Sequence, residues 1–348
     1  MVESDNWAGI RGTPADATVA LDDGHRIWSH ADLQHEAHRL TERLKAARTR
    51  VFATLMDNSP AWVAADLAAT RANVAHVPLP TFFTAGQIAH ALESAAVDTV
   101  LAPPEWGGRG PNTEAQPCAV AGQALTLSRL SPAPVAMPPG TAKITFTSGT
   151  TGTPKGVCLG ARAIRRVAAG LMHATEPLGI RRHLCALPFA VLLENIAGLI
   201  APLARGATCI TLPLHELGLS GSCAFDAARF HAAVTRHQPH SVILLPQMLR
   251  AWVDHLAQCG QRAPLSLKLV AVGGAAVGIK LIRAARALGI PAYEGYGLSE
   301  SASVQTLNLP EADCPGSAGR PLPHDSYREA FAFTRANRRR LVLIRRAH

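Results

Sequence analysis

Between residues 147 and 156 the chain reads Thr147-Ser148-Gly149-Thr150-Thr151-Gly152-Thr153-Pro154-Lys155-Gly156. The three glycines let the backbone take positive φ and approach a ligand closely. Successive N–H groups in such a loop can point into one concavity that favours an anion. Five hydroxyls and one ammonium add donors where phosphate oxygens would lie. The segment reads as a polyphosphate cradle. It is not the Walker pattern, which needs Gly-Lys-Ser/Thr, because Pro154 precedes the lysine and Gly156 follows it. A surface Gly/Thr turn shares this composition, but a strand entering and a helix leaving argue against it.

Further on, Tyr293-Glu294-Gly295-Tyr296-Gly297-Leu298-Ser299-Glu300 brings together an aromatic face, a hydroxyl and a hard carboxylate. Taken alone it is a turn with a helix cap. The strand-end pair in Val272-Gly273-Gly274-Ala275 is, by itself, as compatible with a plain turn. His35-Glu36-Ala37-His38 invites a metal, yet the zinc-protease spacing needs a second histidine where Arg39 stands. On an amphipathic helix that pair reads as a solvated face. Seven cysteines without a CxxC pair argue against a disulfide framework and a zinc site, and fit reduced thiols in a cytoplasm.

The elements that must position these residues alternate. VFATLM (51–56) reads as a strand, and Ser59-Pro60 starts a helix running to about Ala72. AHVPL, a helical stretch near 84–95 and VDTVLA follow, and the Pro- and Gly-rich residues 103–140 read as loop and connection. TAKITFT (141–147) is a strand, after which Ile164, Val167, Ala168, Leu171 and Met172 recur at helical spacing. LCALPF, ATCITL, HSVILL and LKLVAV are further strands, and Pro246-Gln247 opens a helix ending near Cys259-Gly260. Strands alternating with helices imply an α/β fold, with mainly parallel sheets covered by helices. The apolar run Cys185–Ala204 is interrupted by Pro188, Glu194, Asn195 and Pro202, so it reads as buried core rather than a membrane span. The start, MVESDNW, is acidic and polar where a secretory signal would be basic and then apolar.

TFTSGTTGTPKGV resembles the signature loop of the ANL superfamily of AMP-forming enzymes. YGLSE resembles that group's YGxTE motif, with Ser299 for threonine, and LPFAVLLEN resembles its LPLxHxxE stretch, with Val191 for the common histidine. The likeness covers roughly residues 15–323 and implies the large N-terminal domain of the AMP-binding synthetase fold. It implies that ATP, with Mg²⁺, activates a fatty or aromatic carboxylic acid as an acyl-adenylate, which passes to CoA or a carrier-protein thiol. Lys155, Ser299 and Glu300 take the catalytic roles: Ser299 contacts the α-phosphate and Glu300 holds Mg²⁺. The resemblance places Tyr296 against adenine. It assigns the rest of the loop, with Gly274, Ala275, Glu294, Gly295 and Gly297, to nucleotide binding. Val191, Leu192, Gly273 and Gly274 line the acyl site. An amino-acid substrate is disfavoured, since VLLEN offers no aspartate for an amino group.

Relatives of this kind continue with a ribose-gripping aspartate, a hinge and a small C-terminal domain carrying a lysine. Here the last lysine is Lys280, and the only aspartates after Glu300 are Asp313 and Asp325. The expectation is a body, 1–323, lacking that small domain, followed by an Arg-rich tail, 324–348, outside the fold. A frameshift, a truncation or a basic extension would each produce the tail. Seven arginines against Asp325 and Glu329 give it +5 of the total formal charge of +9. The body is only mildly basic, which does not call for nucleic acid. Weak activity alone, a non-catalytic binding remnant, and half of a split enzyme whose second chain supplies the lysine domain are the readings that remain open, with that chain or an acyl carrier protein as a partner.

Overall fold

The computed structural model describes residues 18–106, 114–147, 154–221 and 224–323. The early helix starts follow from local chemistry. The Ser59 hydroxyl accepts from the Trp62 N–H, and Pro60 occupies the first turn of the helix Pro60–Ala72, where its missing donor costs nothing. Asn73 ends that helix in the left-handed conformation. Reciprocal capping boxes start the other two, Ser29 with Asp32 for His30–Ala46 and Thr84 with Gln87 for Ala85–Ser94.

Two large sheets form. The first has seven strands, in the spatial order Glu114–Val120, Gln123–Arg129, Thr99–Ala102, Val51–Leu55, Ala75–Leu79, Thr141–Thr147 and Lys155–Gly160. Its four middle strands are parallel and an antiparallel hairpin closes each edge. The second has nine, running Arg320–Pro321, Ser303–Leu307, Ala292–Leu298, Leu269–Val272, Ser241–Leu244, Arg182–Leu184, Thr208–Ile210, Val19–Asp22 and Ile27–Ser29. It too is parallel at the centre and antiparallel at its edges. This is the α/β architecture expected from the alternating elements.

Two expectations about elements fail here. The strand read at LCALPF ends at Leu184. Residues 103–140 are not all connection, because Glu114–Val120 and Gln123–Arg129 form an antiparallel hairpin. Ala121 and Gly122, both at positive φ, make its two-residue turn. Leu125 and Leu127 alternate into the core. The flanking Pro/Gly clusters dominate the local composition, and the pairing that stabilises the hairpin comes from Thr99–Ala102, a partner distant from much of it in sequence.

Helix Pro60–Ala72 is buried on nearly every side, as its apolar composition requires. Trp62 packs on Phe189 with ring centroids 5.2 Å apart, joining the first half of the chain to the second. The apolar run around residues 185–204 is likewise buried core, and among the described residues no helix is long and apolar enough to cross a membrane. His35 and His38 are exposed, as a solvated helix face requires.

The same wedge carries a buried charge. Asp66 ion-pairs with Lys143 at 2.8 Å and meets His76 Nδ1 at 2.6 Å. Lys143 also donates to Asn195 Oδ1, whose amide donates to Asp66 at 3.2 Å, and Thr54 bonds the far side of His76 at 3.0 Å. Burial works to raise the Asp66 carboxyl, but the Lys143 charge and the His76 contact outweigh it and hold it well below the usual carboxylate range. Burial is the first cause that pushes the His76 imidazole down, although Asp66 opposes it.

Asp66→Ala leaves the Lys143 ammonium buried without its counter-charge, so urea denaturation should show a loss of about 3–5 kcal/mol. Folding depresses the His76 pKa, so the unfolded chain binds that proton first as pH falls. The contribution is intact above about 6.5, the unfolded value, and is lost as pH drops toward the folded one. Denaturation midpoints should therefore fall below about pH 6.5, and His76→Gln should flatten that part of the curve.

Candidate active site

Thr141–Thr147 and Lys155–Gly160 pair antiparallel, with Thr147 opposite Lys155. A strand, not a helix, therefore leaves the glycine-rich loop, and the expected helix, Ala161–Ala174, begins only after Gly160. Val157, Cys158 and Leu159 ladder onto Thr145, Ile144 and Lys143, so the two strands that flank the loop form a hairpin. Ser148, Gly149, Thr150, Thr151, Gly152 and Thr153, all assigned to phosphate binding, lie outside the described residues. Their anchors are clear. Thr147 Oγ1 reaches the Lys155 carbonyl at 3.5 Å, and His90 Nε2 donates to the Pro154 carbonyl at 3.0 Å. The His90 ring stands edge-on to Phe146, so helix Ala85–Ser94 braces the exit of the loop. Sequence reasoning missed His90, because nothing local separates it from fourteen other histidines.

Beside the loop opens a cavity of about 460 Å³. Thr147, Gly274, Tyr296, Gly297 and Ser299 line its polar end. Val191, Leu192, Leu193 and Ala197 form one wall, with Leu171 and Met172 of helix Ala161–Ala174. Ala271, Val272, Gly273 and Gly295 belong to the sheet side. Ser241 and Leu269 begin their strands, and both line the cavity, as do Thr175, Ile180 and His183. The cavity therefore follows two parallel strands from their C-terminal ends back to their starts. Phe82 and Phe83 complete the lining from the loop before helix Ala85–Ser94.

The structure thus brings together Thr147, Val191, Leu192, Gly273, Gly274, Gly295, Tyr296, Gly297 and Ser299. Lys155, Gly156, Ala275 and Glu300 are exposed and are not among the lining residues. Glu294 is buried and faces away, its carboxylate accepting from the Gly278 N–H at 3.3 Å and the Gly316 N–H at 2.5 Å. It ties together the loops on either side of Ala292–Leu298. Asn58 has a similar duty for the segment leading to Val191 and Leu192: its amide donates to the Leu187 carbonyl at 2.8 Å and its oxygen accepts from the Phe189 N–H at 2.7 Å. Neither partner is near Asn58 in sequence, so only the fold reveals the clamp.

Gly297 sits at an irregularity between Ala292–Leu298 and Ser303–Leu307, where the register shifts after Tyr296. A Cβ there would lie 2.1 Å from the Ser303 carbonyl oxygen. The absence of a side chain lets the two strands approach, and it sets how Tyr296 and Ser299 are presented at the cavity mouth.

A polar mouth that includes Thr147, leading into an apolar cavity along parallel strands, is the form of a ligand cleft in an α/β protein. The AMP-binding enzyme family matches residues 7–328, and the chain belongs to that family. It is 26% identical over 336 residues to the 2-succinylbenzoate–CoA ligase of Bacillus pumilus, covering 92% of this chain and 64% of that protein. The o-succinylbenzoate CoA synthetase of Bacillus subtilis, solved with the acyl-adenylate intermediate OSB-AMP, superposes with a TM-score of 0.70 at 23% identity, over 93% of this chain and 65% of that one. The N-terminal subdomain of Klebsiella oxytoca NpsA superposes at 0.68 and 19% identity, over 88% and 77%. The two structural matches establish the fold, that of the large N-terminal domain. The chain thus spans just under two thirds of the length of these two Bacillus proteins.

Gly297→Ala should force Ser303 away. A stability loss of about 1–3 kcal/mol in denaturant, together with weakened AMP binding by calorimetry, is the expected result.

Proposed function

We propose that this chain binds ATP and a carboxylic acid in the cleft between the hairpin loop and Tyr296, and joins them as an acyl-adenylate with release of pyrophosphate. The observation that carries this reading is the continuity of the cavity: its mouth is lined by Thr147, Tyr296 and Ser299, and its body is apolar. An acid whose tail fills the body has its carboxylate at the mouth, beside the residues suited to phosphate.

The roles follow from chemistry. Tyr296 offers a half-buried face for adenine. Ser299 and Thr147 donate hydroxyl hydrogen bonds to phosphate oxygens, and Lys155, exposed at the loop exit, neutralises charge on them. The exposed Glu300 carboxylate and the neighbouring hydroxyls are hard oxygen donors that fit Mg²⁺, which would supply charge neutralisation on the polyphosphate. Positioning the carboxylate oxygen in line with the α-phosphorus is most of the catalytic task. CoA or a carrier-protein thiol is the acceptor in this reading. In this reading efficient turnover needs a second body to cover the exposed mouth and exclude water, whereas binding does not.

The cavity also speaks to the acid. It runs from Leu269 to Gly273, four residue steps along one strand, or about 13 Å. An extended apolar acid fills that length, whereas a single aromatic ring fills only its upper part. The relatedness to 2-succinylbenzoate–CoA ligases favours the second reading, an aromatic acid.

ATP–pyrophosphate exchange measured over a series of straight-chain and aromatic acids decides between them. Exchange should rise with chain length, and Ala271→Phe, placed on the cavity wall, should cut it about tenfold for the longest acids while sparing short ones. Exchange confined to aromatic acids would select the second reading, and no exchange with any acid would leave a binding protein. Lys155→Ala should weaken ATP binding by about 1.5–3 kcal/mol. Its stability should change by no more than about 0.5 kcal/mol, because the side chain is exposed.

A further inference from the structure

Behind the cavity wall lies a cluster that the proposed reaction does not use. His183 and Cys185 are two residues apart in extended chain leaving Arg182–Leu184, so they share a face. Glu194 opens the π-helical turn Glu194–Ile200 packed over them. One ligand atom from each of the three lies within 4.8 Å of the others, and all three residues are at most 3% exposed.

The polar atoms are poorly served. His183 Nε2 is 3.6 Å from Glu194 Oε1, beyond hydrogen-bond reach. Nε2 and both Glu194 oxygens make no hydrogen bond of good geometry among the described residues, and only the backbone N–H groups of Ala186 and Leu187 act on the carboxylate from beyond that reach. Unpaired groups this deep are costly unless something joins them. The surroundings are shaped to bring them together. His183 Nδ1 is held by the Ser241 hydroxyl at 2.8 Å, which orients the ring and directs Nε2 at Glu194. A Cβ on Gly198 would lie 2.5 Å from Glu194 Oε1, so only glycine leaves room for the carboxylate to fold back over its own helix. Cys209, opposite His183 on the adjacent strand, points its thiol at the Gly198 carbonyl, 3.6 Å away. Cys185 contacts the same carbonyl at 3.6 Å.

We propose that His183, Cys185 and Glu194 form a buried site for a zinc-class divalent cation, with Cys209 offering a fourth donor. Thiol and imidazole together select a borderline-soft ion over Mg²⁺. The charge of the three-residue site balances: one thiolate, one carboxylate and a neutral imidazole around a dication sum to zero, and a second thiolate from Cys209 would bring it to −1. Binding replaces the thiol and carboxyl protons, which pass to solvent. The π-helical turn is the kind of local irregularity that places a ligating side chain. The cavity reaches His183 and provides an entry path. The role is structural: the ion ties the helix behind Leu192 and Leu193 to two strands of the second sheet. It is independent of whether the cleft adenylates an acid.

The test uses the full chain, purified without chelator. Elemental analysis should find about one zinc per chain. After chelation, Co²⁺ titrated into the protein should produce the near-ultraviolet charge-transfer band of a cobalt–thiolate bond. Ions held adventitiously by surface histidines give no such band. Cys185→Ser should abolish it, and Glu194→Gln should weaken Co²⁺ binding at least about tenfold. Loss of intensity in Cys209→Ser would identify the fourth ligand, and an unchanged band would leave the three-residue site. If the variants fail to fold, the wild-type titration decides alone. Absence of a thiolate band together with no thermal shift by Zn²⁺, or a band that persists without Cys185, overturns the site.

Discussion

The Asp66–Lys143 ion pair is the constraint on which the arrangement of the cleft rests. Asp66 comes from the buried helix Pro60–Ala72, Lys143 from the strand that feeds the glycine-rich loop, and Asn195 from the helix beside the apolar cavity. Three elements that carry different parts of the site are therefore held by one set of short, directional contacts. Deep burial makes each member depend on the others, because a carboxylate or ammonium left without its partner cannot be solvated there. Apolar side chains of similar volume would fill the space without specifying one register. The hydrogen-bonded set accepts a single geometry, which is what a loop meant to meet a ligand across the cleft requires.

Around that anchor the two sheets divide the work. The first presents the loop at its edge, as a hairpin whose exit is braced by His90. The second presents the Gly273–Gly274 turn and the Tyr296–Ser299 segment at the ends of adjacent parallel strands, where crossover connections leave a natural crevice. Between them the helix Ala161–Ala174 and the residue 191–204 segment pack on each other, and Leu171, Met172, Val191 and Leu192 at the margin of that contact line the cavity. The mouth is polar because strand ends expose backbone and short hydroxyl side chains. The body is apolar because strand interiors and helix faces do not. An acid with a charged head and an apolar tail matches that gradient.

Glu294, Asn58 and Glu194 show how buried polar residues serve such a frame. Glu294 spans two loops through backbone N–H groups, and Asn58 holds the Leu187–Phe189 turn from both sides. Glu194 differs, since no hydrogen bond of good geometry reaches its oxygens and only the Ala186 and Leu187 backbone and His183 act on them at longer range. The first two satisfy their charge or dipole within the protein, and the third is left for a ligand to complete.

Much of this protein is local and could be read from the chain. The Ser59-Pro60 and Thr84/Gln87 helix starts, the strand–helix alternation, the glycine-rich loop and the Tyr296-Gly297-Leu298-Ser299-Glu300 segment are each legible from neighbours a few residues apart. Capping, φ preference and periodicity act over that range. Three things depended on contacts across the chain. The hairpin Glu114–Arg129 exists because Thr99–Ala102 offers it an edge. The strand Lys155–Gly160 exists because Thr141–Thr147 pairs with it before a helix can begin. Lys143, Asp66 and His76 looked like ordinary members of their own elements, and only the packing of helix against sheet turned them into one buried network. The residue types that can do chemistry were determined by the sequence alone. Which of them face one cavity, and how deep that cavity runs, was decided by tertiary structure, because burial and register are properties of elements brought together from distant parts of the chain.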